Sequence, residues 1–208
     1  MDCGSKLGID GRQPLACDRM RIIAGKFRSR RLRSVRGVEI RPTSDRLRET
    51  LFNVLTAGNP TALEGTVWLD LFEGSGAVGI EALSRGAAMV HFVESNRDAA
   101  KLIRQNLQSL GITTGFQIVQ QESARAVSYL DKQRIKPDFV FLDPPYEMRE
   151  ACREALSALG LSRLSERALL IAEHEKRFDP GEKFGRLQRV RLLQQGDAGL
   201  SFYGCNRA

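Results

Sequence analysis

From residue 66 onward, short apolar segments alternate with segments whose apolar residues recur at helical spacing. The short segments are almost wholly apolar, which is typical of strands buried on both faces. This alternation predicts a parallel sheet covered by helices on both faces, the α/β class. The predicted strands are 67–71, 89–93, 116–119, 139–142 and 169–172, and the predicted helices are 78–85, 98–110, 123–131 and 149–159.

The end of the chain follows a different pattern. Two apolar segments, 190–193 and 200–203, flank the turn-forming residues 196–199, which predicts an antiparallel hairpin. Together with the five preceding strands, this hairpin gives a seven-stranded, mostly parallel sheet.

The first part of the chain carries weaker signals. Short strands are predicted around Gly25 and Gly37, and a helix is predicted to begin at a cap formed by Thr43 or Ser44. The predicted divisions are a disordered tail over 1–19, a basic hairpin and helix over 20–58, and a main domain over 59–208.

Positive charge is concentrated in one short segment. The 208-residue chain has a net charge of +7, but residues 19–48 alone hold eleven basic and two acidic side chains, so this segment carries +9 and the remainder −2. A basic run is often only a solvated surface. This segment, however, carries more net positive charge than the whole chain does, which favours a polyanion partner. Most of these side chains are arginines, so paired phosphate contacts and stacking on bases are both available.

The remaining composition excludes several classes of protein. Four cysteines lie far apart and only two histidines are present, so neither a disulfide framework nor a zinc site is indicated. No apolar stretch approaches the length that spans a bilayer, and residues 1–19 lack the apolar core of a signal peptide. We therefore expect a cytoplasmic monomer that needs neither a metal nor a membrane.

The tetrapeptide Asp143-Pro144-Pro145-Tyr146 directly follows the predicted strand 139–142. Two consecutive prolines restrict the backbone and remove two N–H donors, which predicts a stiff turn. Asp143 and the Pro144 carbonyl are then able to accept hydrogen bonds from an exocyclic amino group, while Tyr146 stacks on the ring that bears it. An ordinary turn at a strand end, with a tyrosine in the core, is the alternative.

A glycine-rich loop follows the first predicted strand. Gly74, Gly76 and Gly79 form the pattern G-x-G-x-x-G between a strand and a helix, where a backbone approaches a ligand closely. The pattern alone also suits NAD, FAD or a purely structural turn. Asp70 and Glu73 would repel a pyrophosphate and attract an ammonium group, so S-adenosylmethionine fits better.

Further polar residues follow the second and third predicted strands. Glu94 stands where a carboxylate accepts two ribose hydroxyls, although a solvated strand end is the alternative. Glu122 and Ser123 offer polar side chains to an adenine edge. Because the carboxyl ends of parallel strands share one sheet edge, we expect these groups to gather there with Asp143, which predicts a methyltransferase. The candidate cofactor-binding residues are Asp70, Phe72, Glu73, Gly74, Gly76, Glu94, Glu122 and Ser123.

Four segments resemble the RsmD family of bacterial 16S rRNA guanine-N2 methyltransferases, which belongs to the class I S-adenosylmethionine-dependent methyltransferases. The segments are 20–28, 41–53, 70–86 and 143–146. The last two identify only the superfamily, whereas Arg-Pro-Thr-Ser-Asp-Arg at the start of the second is more specific to the family. The resemblance spans about residues 20–203.

The resemblance implies a Rossmann-like class I fold and methyl transfer to N2 of one guanine in 16S rRNA, within the 30S subunit or its assembly intermediate. It implies that Asp70, Gly74, Gly76 and Glu94 hold the cofactor. The catalytic candidates are Asp143, Pro144, Pro145 and Tyr146. The residues implied to contact RNA are Arg21, Lys26, Arg28, Arg30, Arg31, Arg41, Thr43, Arg46 and Arg48.

Three other functions stay open from the sequence. Adenine-N6 methylation of DNA or RNA fits the same turn, because the turn accepts either amino group. Methylation of a glutamine in a protein is disfavoured, since enzymes of that kind favour Asn where Asp143 stands. A non-catalytic RNA-binding assembly factor would not need Asp70, Glu94 and Asp143.

Overall fold

The computed structural model describes residues 20–34, 45–72, 74–145 and 147–206. Within these residues the chain forms five helices and eight strands. In chain order they are α1 (Asp45–Leu55), β1 (Val67–Leu71), α2 (Ala77–Ser84), β2 (Met89–Val93), α3 (Arg97–Ser109), β3 (Phe116–Val119), α4 (Ser123–Lys132), β4 (Phe139–Leu142), α5 (Arg149–Leu161), β5 (Leu169–Glu175), β6 (Lys183–Phe184), β7 (Leu187–Gln195) and β8 (Ala198–Cys205).

All eight strands belong to one sheet with the order β3-β2-β1-β4-β5-β8-β7-β6. Strands β1 to β5 pair in parallel, while β8 pairs antiparallel with β5 and with β7. The predicted mostly parallel sheet with a C-terminal hairpin is confirmed. The eighth strand is β6, whose two residues extend the edge next to β7 and are too short to leave a sequence pattern.

Helices cover both faces of the sheet, as the alternation predicts. Successive residues of a strand point to opposite faces. Trp68 of β1 therefore packs in a core with α1, α2 and α3, whereas its neighbour Leu69 packs in a second core with α4 and α5. The sheet is therefore the central layer between two buried cores.

The described N-terminal segment, residues 20–34, is called the arm. Its strands are reduced to a single antiparallel bridge between Arg21 and Arg31, on either side of a turn that contains Gly25. Ile22 and Leu32 of the arm are buried in the core on the α1–α3 face. The predicted tail over 1–19 and the predicted strand around Gly37 lie outside the described residues.

Among the described residues, none of the helices combines the length and the apolar character that a bilayer-spanning helix needs.

Candidate active site

The carboxyl ends of β1, β2 and β4 lie side by side at one sheet edge. Leu71, the last residue of β1, pairs with Val93 of β2 and with Leu142 of β4. The next residues are Glu94 after β2 and Asp143 after β4, both predicted site residues. The Asp143 N–H donates to the Leu71 carbonyl at 3.3 Å. The structure thus brings the glycine loop, Glu94 and Asp143 together at this edge.

The glycine loop, residues 72–76, connects β1 to α2; its residue Glu73 lies outside the described residues. Phe72 has a φ of 66°, and Gly76 at the N-cap of α2 has a φ of 77°. A left-handed backbone costs a residue other than glycine about 1–2 kcal/mol, so the fold holds Phe72 in a strained conformation. Such strain is concentrated at functional sites, and the loop ends at a helix N-terminus, where N–H groups face ligands.

Asp70 lies beneath α2 and is fully buried. A Cβ atom added to Gly79 would lie 2.7 Å from Oδ2 of Asp70 and 2.4 Å from Cε1 of Phe92. Helix α2 therefore packs this closely on β1 and β2 only because residue 79 is a glycine. The third glycine of the motif serves this packing, which keeps the Asp70 carboxylate next to the start of α2.

Glu94 is half-buried and is held by the first turn of α3. One of its carboxylate oxygens accepts the Asn96 N–H at 2.7 Å, and the Asn96 side chain caps α3. Burial raises the pKa of the Glu94 carboxyl, while the Asn96 and Ser95 N–H groups partly oppose this rise. A carboxylate fixed in this way is suited to accept a pair of hydroxyl groups.

The predicted adenine contacts lie beside Glu94. The Glu94 N–H donates to the carbonyl of Val119, the last residue of β3, at 3.2 Å. Glu122 is exposed just before α4, and Ser123 is buried at its first position. Both residues therefore stand on the glycine-loop side of the sheet, one strand beyond β2.

The proline turn after β4 is closed by a backbone hydrogen bond. The Met148 N–H donates to the Pro145 carbonyl at 2.7 Å. Asp143 is half-buried, Pro144 is buried and Pro145 is exposed. Tyr146 lies outside the described residues, so its stacking on a base stays a prediction.

A pocket lies next to this turn, towards β5 and α5. Cys152 in the pocket is buried, and burial raises the pKa of its thiol to about 12, so the thiol stays protonated. Burial also lowers the pKa of His174, which bonds to Ser201 and to the Glu175 carbonyl and stays neutral. The lining residues are Pro144, Pro145, Arg149, Cys152, Glu173, His174, Glu175 and Phe178.

Glu173 of this pocket was missed by the sequence-based prediction. Leu142 of β4 pairs with Ala172 of β5, so one residue farther along Glu173 stands beside Asp143. Glu173 is buried although its side chain is acidic. The signal for it was a glutamate directly after the apolar run that was predicted to end at residue 172.

Most predicted RNA contacts that fall on described residues are exposed. They are Arg21, Lys26, Arg28, Arg30, Arg31 and Arg46. Arg48 differs, because its side chain is 0% exposed and its guanidinium donates to Asp45 at 2.9 Å and to the Arg21 carbonyl. This burial does not fit the predicted RNA contact, since Arg48 instead joins α1 to the arm. Arg41 and Thr43 lie outside the described residues.

Buried polar side chains of α2 and α3 hold the arm, and the sequence-based prediction missed them. Glu81 accepts the N–H groups of Ile23 and Ala24 at 2.7 and 2.9 Å. Asn106 bonds to both backbone groups of Arg33. The only available signal was a polar residue on a helix face that is otherwise apolar.

The strand order and the glycine loop define the class I methyltransferase fold. The Escherichia coli methyltransferase candidate yhhF superposes with a TM-score of 0.73 at 29% identity, over 91% of this chain and 99% of that one. The methyltransferase candidate SMU.776, solved with SAH, matches in fold at 16% identity and a TM-score of 0.57, over 76% of this chain and 48% of that one.

The chain belongs to the RsmD family. The family model described as "Conserved hypothetical protein 95" matches residues 20–204. The Haemophilus influenzae protein named ribosomal RNA small subunit methyltransferase D is 38% identical over 78% of this chain and 82% of its own length. The Escherichia coli protein of the same name is 36% identical over 75% of each chain.

Proposed function

We propose that this protein methylates small-subunit rRNA, transferring the methyl group of S-adenosylmethionine to the exocyclic N2 of a guanine. The observation that carries the proposal is the aligned ends of β1, β2 and β4, which gather the glycine loop, Glu94 and Asp143 at one edge. Relatives named as small-subunit rRNA methyltransferases support the rRNA part of the proposal. The guanine-N2 part rests on the side chains around Asp143.

The cofactor side of the site fits S-adenosylmethionine. The strained backbone at Phe72 and the glycine at the N-cap of α2 let a ligand approach the main chain. Glu94 would accept the two ribose hydroxyls, and Glu122 and Ser123 would face the adenine. The buried carboxylate of Asp70 favours a cationic tail over a pyrophosphate. When bound, the cofactor supplies a methyl group on a sulfonium, which is an electrophilic carbon.

The catalytic work assigned to the protein is mainly positioning. An exocyclic amine donates its lone pair into the ring and is a weak nucleophile. Acceptors at Asp143 and the Pro144 carbonyl would orient this amine and draw its lone pair out of conjugation, while Tyr146 would fix the plane of the base. A base within a structured RNA must first leave its stack, and the exposed edge beside the proline turn gives it room.

Two acidic side chains favour guanine over adenine. Asp143 directly follows β4 and stands beside Glu173 of β5, and an ionised carboxylate only accepts hydrogen bonds. Guanine presents two adjacent donors, N1–H and N2–H, whereas adenine presents an acceptor at N1 beside its amino group. A flipped base is read through this edge. The paired carboxylates therefore match guanine.

The arm and α1 are proposed to hold the RNA. Arg21, Lys26, Arg28, Arg30 and Arg31 expose their charges on one short segment, and this division over 20–58 would anchor phosphates beside the site. Arg41, Thr43 and Arg46 are also proposed to contact the RNA. The buried Arg48 would instead position the arm. We propose that the substrate is the 30S subunit or its assembly intermediate, met in the cytoplasm by a monomer.

Nucleoside analysis tests the proposal directly. Purified protein is incubated with isotope-labelled S-adenosylmethionine and unmodified 30S particles, and the rRNA is digested for mass spectrometry. We expect label in N2-methylguanosine, and none when the particles are first treated with the enzyme and unlabelled cofactor. Label in N6-methyladenosine would replace the guanine assignment, and no label in any nucleoside would reject the enzyme.

A further inference from the structure

One side chain connects the arm to the glycine loop. Asn106 of α3 is 0% exposed, and its amide donates to the Ser75 carbonyl at 2.9 Å and to the Arg33 carbonyl at 3.1 Å. Its amide oxygen accepts the Arg33 N–H at 2.8 Å. Ser75 lies between the two glycines of the loop, and Arg33 lies at the end of the arm. Asn106 therefore bonds to both elements at once.

The geometry requires the two donors and the acceptor of an asparagine. Asn106 lies among the apolar residues Ile103 and Leu107 of α3 and Leu110 at its C-cap. A buried amide is costly unless its hydrogen bonds are made, and here both N–H groups and the oxygen have partners. Leucine has nearly the same shape but would leave the Ser75 and Arg33 backbone groups without these bonds.

A second contact connects the same loop residue to the start of the arm. The Ser75 hydroxyl donates to the sulfur of Met20 at 3.4 Å, and Met20 is buried. The Leu32 N–H donates to the Met20 carbonyl at 2.9 Å, which closes the arm on itself. Ser75 thus contacts the start of the arm directly and the end of the arm through Asn106, so the loop and the arm form one hydrogen-bonded unit.

We infer that Asn106 is a positioning residue that couples RNA binding at the arm to cofactor binding at the glycine loop. This inference rests on the proposed function, which assigns RNA to the arm and S-adenosylmethionine to the loop. RNA held by exposed arm residues such as Arg28 and Arg31 restricts Arg33, and through Asn106 it restricts Ser75. The second ligand then meets an element that is already ordered, so the two ligands bind cooperatively. By linkage, RNA must change the affinity for the cofactor by the same factor by which the cofactor changes the affinity for RNA; we call this the coupling factor.

Calorimetric titration measures this coupling. S-adenosylhomocysteine, which binds without turnover, is titrated into the full-length protein with and without a saturating unmodified 16S rRNA transcript. For the native protein we expect RNA to lower the Kd of S-adenosylhomocysteine about fivefold or more. For Asn106→Leu we expect both ligands to bind, but with a coupling factor close to one. If Asn106→Leu kept the coupling factor of the native protein, the inference would be overturned.

Thr66→Val is the matched control. The Thr66 hydroxyl donates to the Leu63 carbonyl at 2.6 Å and accepts the Trp68 indole N–H at 3.1 Å, at the opposite end of β1. Its loss removes two side-chain hydrogen bonds at the end of β1 that lies away from the glycine loop, and neither bond involves the arm. We expect a lower Tm with the native coupling factor retained. If Thr66→Val also lost the coupling, general destabilisation would explain the effect and Asn106 would have no special role.

Hydrogen exchange on the native protein keeps the inference testable if Asn106→Leu does not fold. The transcript alone, without any cofactor, should slow amide exchange in residues 74–80; unchanged exchange there would contradict the coupling. The two proposals fail differently in the titration. A native protein that binds both ligands with a factor of one refutes only the coupling, whereas a native protein that does not bind S-adenosylhomocysteine refutes the proposed function.

Discussion

The carboxylate of Glu81 accepts a hydrogen bond of 2.7 Å from the backbone N–H of Ile23, which lies 58 residues earlier in the chain. The same fully buried carboxylate accepts the Ala24 N–H at 2.9 Å and pairs with Arg85 at 2.8 Å. Because Glu81 belongs to the helix that follows the glycine loop, one side chain fastens the basic arm to the cofactor side of the site.

Glu81→Ala should lower the free energy of unfolding by about 3 kcal/mol, because it leaves two backbone donors and Arg85 without their buried partner. Urea unfolding followed by circular dichroism measures this loss. The exposed Glu49 of α1 is the control, and Glu49→Ala should stay within about 0.5 kcal/mol of the native protein. Equal stability of the two variants would show that the Glu81 contacts contribute little.

Asp143→Ala should reduce methyl transfer to 30S particles by about 10²-fold or more, because the target amine loses the acceptor that orients it. Binding of S-adenosylhomocysteine should remain measurable by calorimetry, since Asp143 is assigned to the base. Glu147→Ala removes an exposed carboxylate four residues away and should retain activity. Native turnover by Asp143→Ala would reject the assigned role.

Much of the fold was predictable because its strands are nearly continuous apolar runs. The predicted ranges 67–71 and 89–93 match β1 and β2. The prediction for β7 covered only 190–193, whereas the strand runs over Leu187–Gln195. Its added residues are mainly polar or charged and half-exposed, so they carry no apolar signal, and pairing with β8 decides the length of the strand.

The edge of the sheet that carries the site was predictable for a topological reason. Parallel strands place their carboxyl ends together, so the positions of Glu94 and Asp143 follow from strand order alone. The role of Arg48 does not follow, because an arginine in a basic run resembles a surface residue. Its burial depends on Asp45 and on the carbonyl of Arg21, 27 residues away. Long-range partners of this kind leave no local pattern.

Stability should fall as the pH drops below neutrality. Burial lowers the pKa of both His91 and His174, whereas in the unfolded chain each imidazole titrates near its ordinary value of about 6.5. Just below that value the unfolded state binds more protons than the folded state, so the free energy of unfolding rises with pH and falls on acidification.

Urea unfolding at about pH 7.5 and about pH 6 measures this difference. His174→Gln removes one of the two titrating groups, so the variant should lose less stability between these pH values than the native protein does. Its lower absolute stability does not matter, because only the change with pH is compared. An identical change in both proteins would show that His174 does not titrate differently on unfolding.

Charge reversal in the arm should weaken RNA binding through phosphate contacts. Replacing Arg28, Arg30 and Arg31 by Glu removes three exposed charges, so the slope of log affinity against log salt should fall in magnitude by about 2. S-adenosylhomocysteine affinity in the absence of RNA should stay native. Filter binding of 16S rRNA transcript across a salt series measures the slope.

The matched control for the arm reverses three basic residues that are also exposed but lie on or next to α4 and α5, on the opposite face of the sheet: Lys132, Lys136 and Arg163. Both triple variants change the net charge equally, so a general electrostatic effect would weaken them alike. The control should keep a slope near the native one. Equal losses in the two variants would contradict a specific RNA contact at the arm.

Cofactor affinity should decline as the pH falls towards the raised pKa of Glu94. The ionised carboxylate accepts hydroxyl groups on both oxygens, and protonation removes part of that capacity, so the Kd of S-adenosylhomocysteine should rise about tenfold on full protonation. Because the pKa is raised, this loss begins at a higher pH than for an ordinary glutamate.

Glu94→Gln should bind S-adenosylhomocysteine more weakly at neutral pH and lose the pH dependence. Glu64→Gln, at an exposed position near the amino end of β1, should keep the native profile; the native profile in Glu94→Gln would assign the titration to another group.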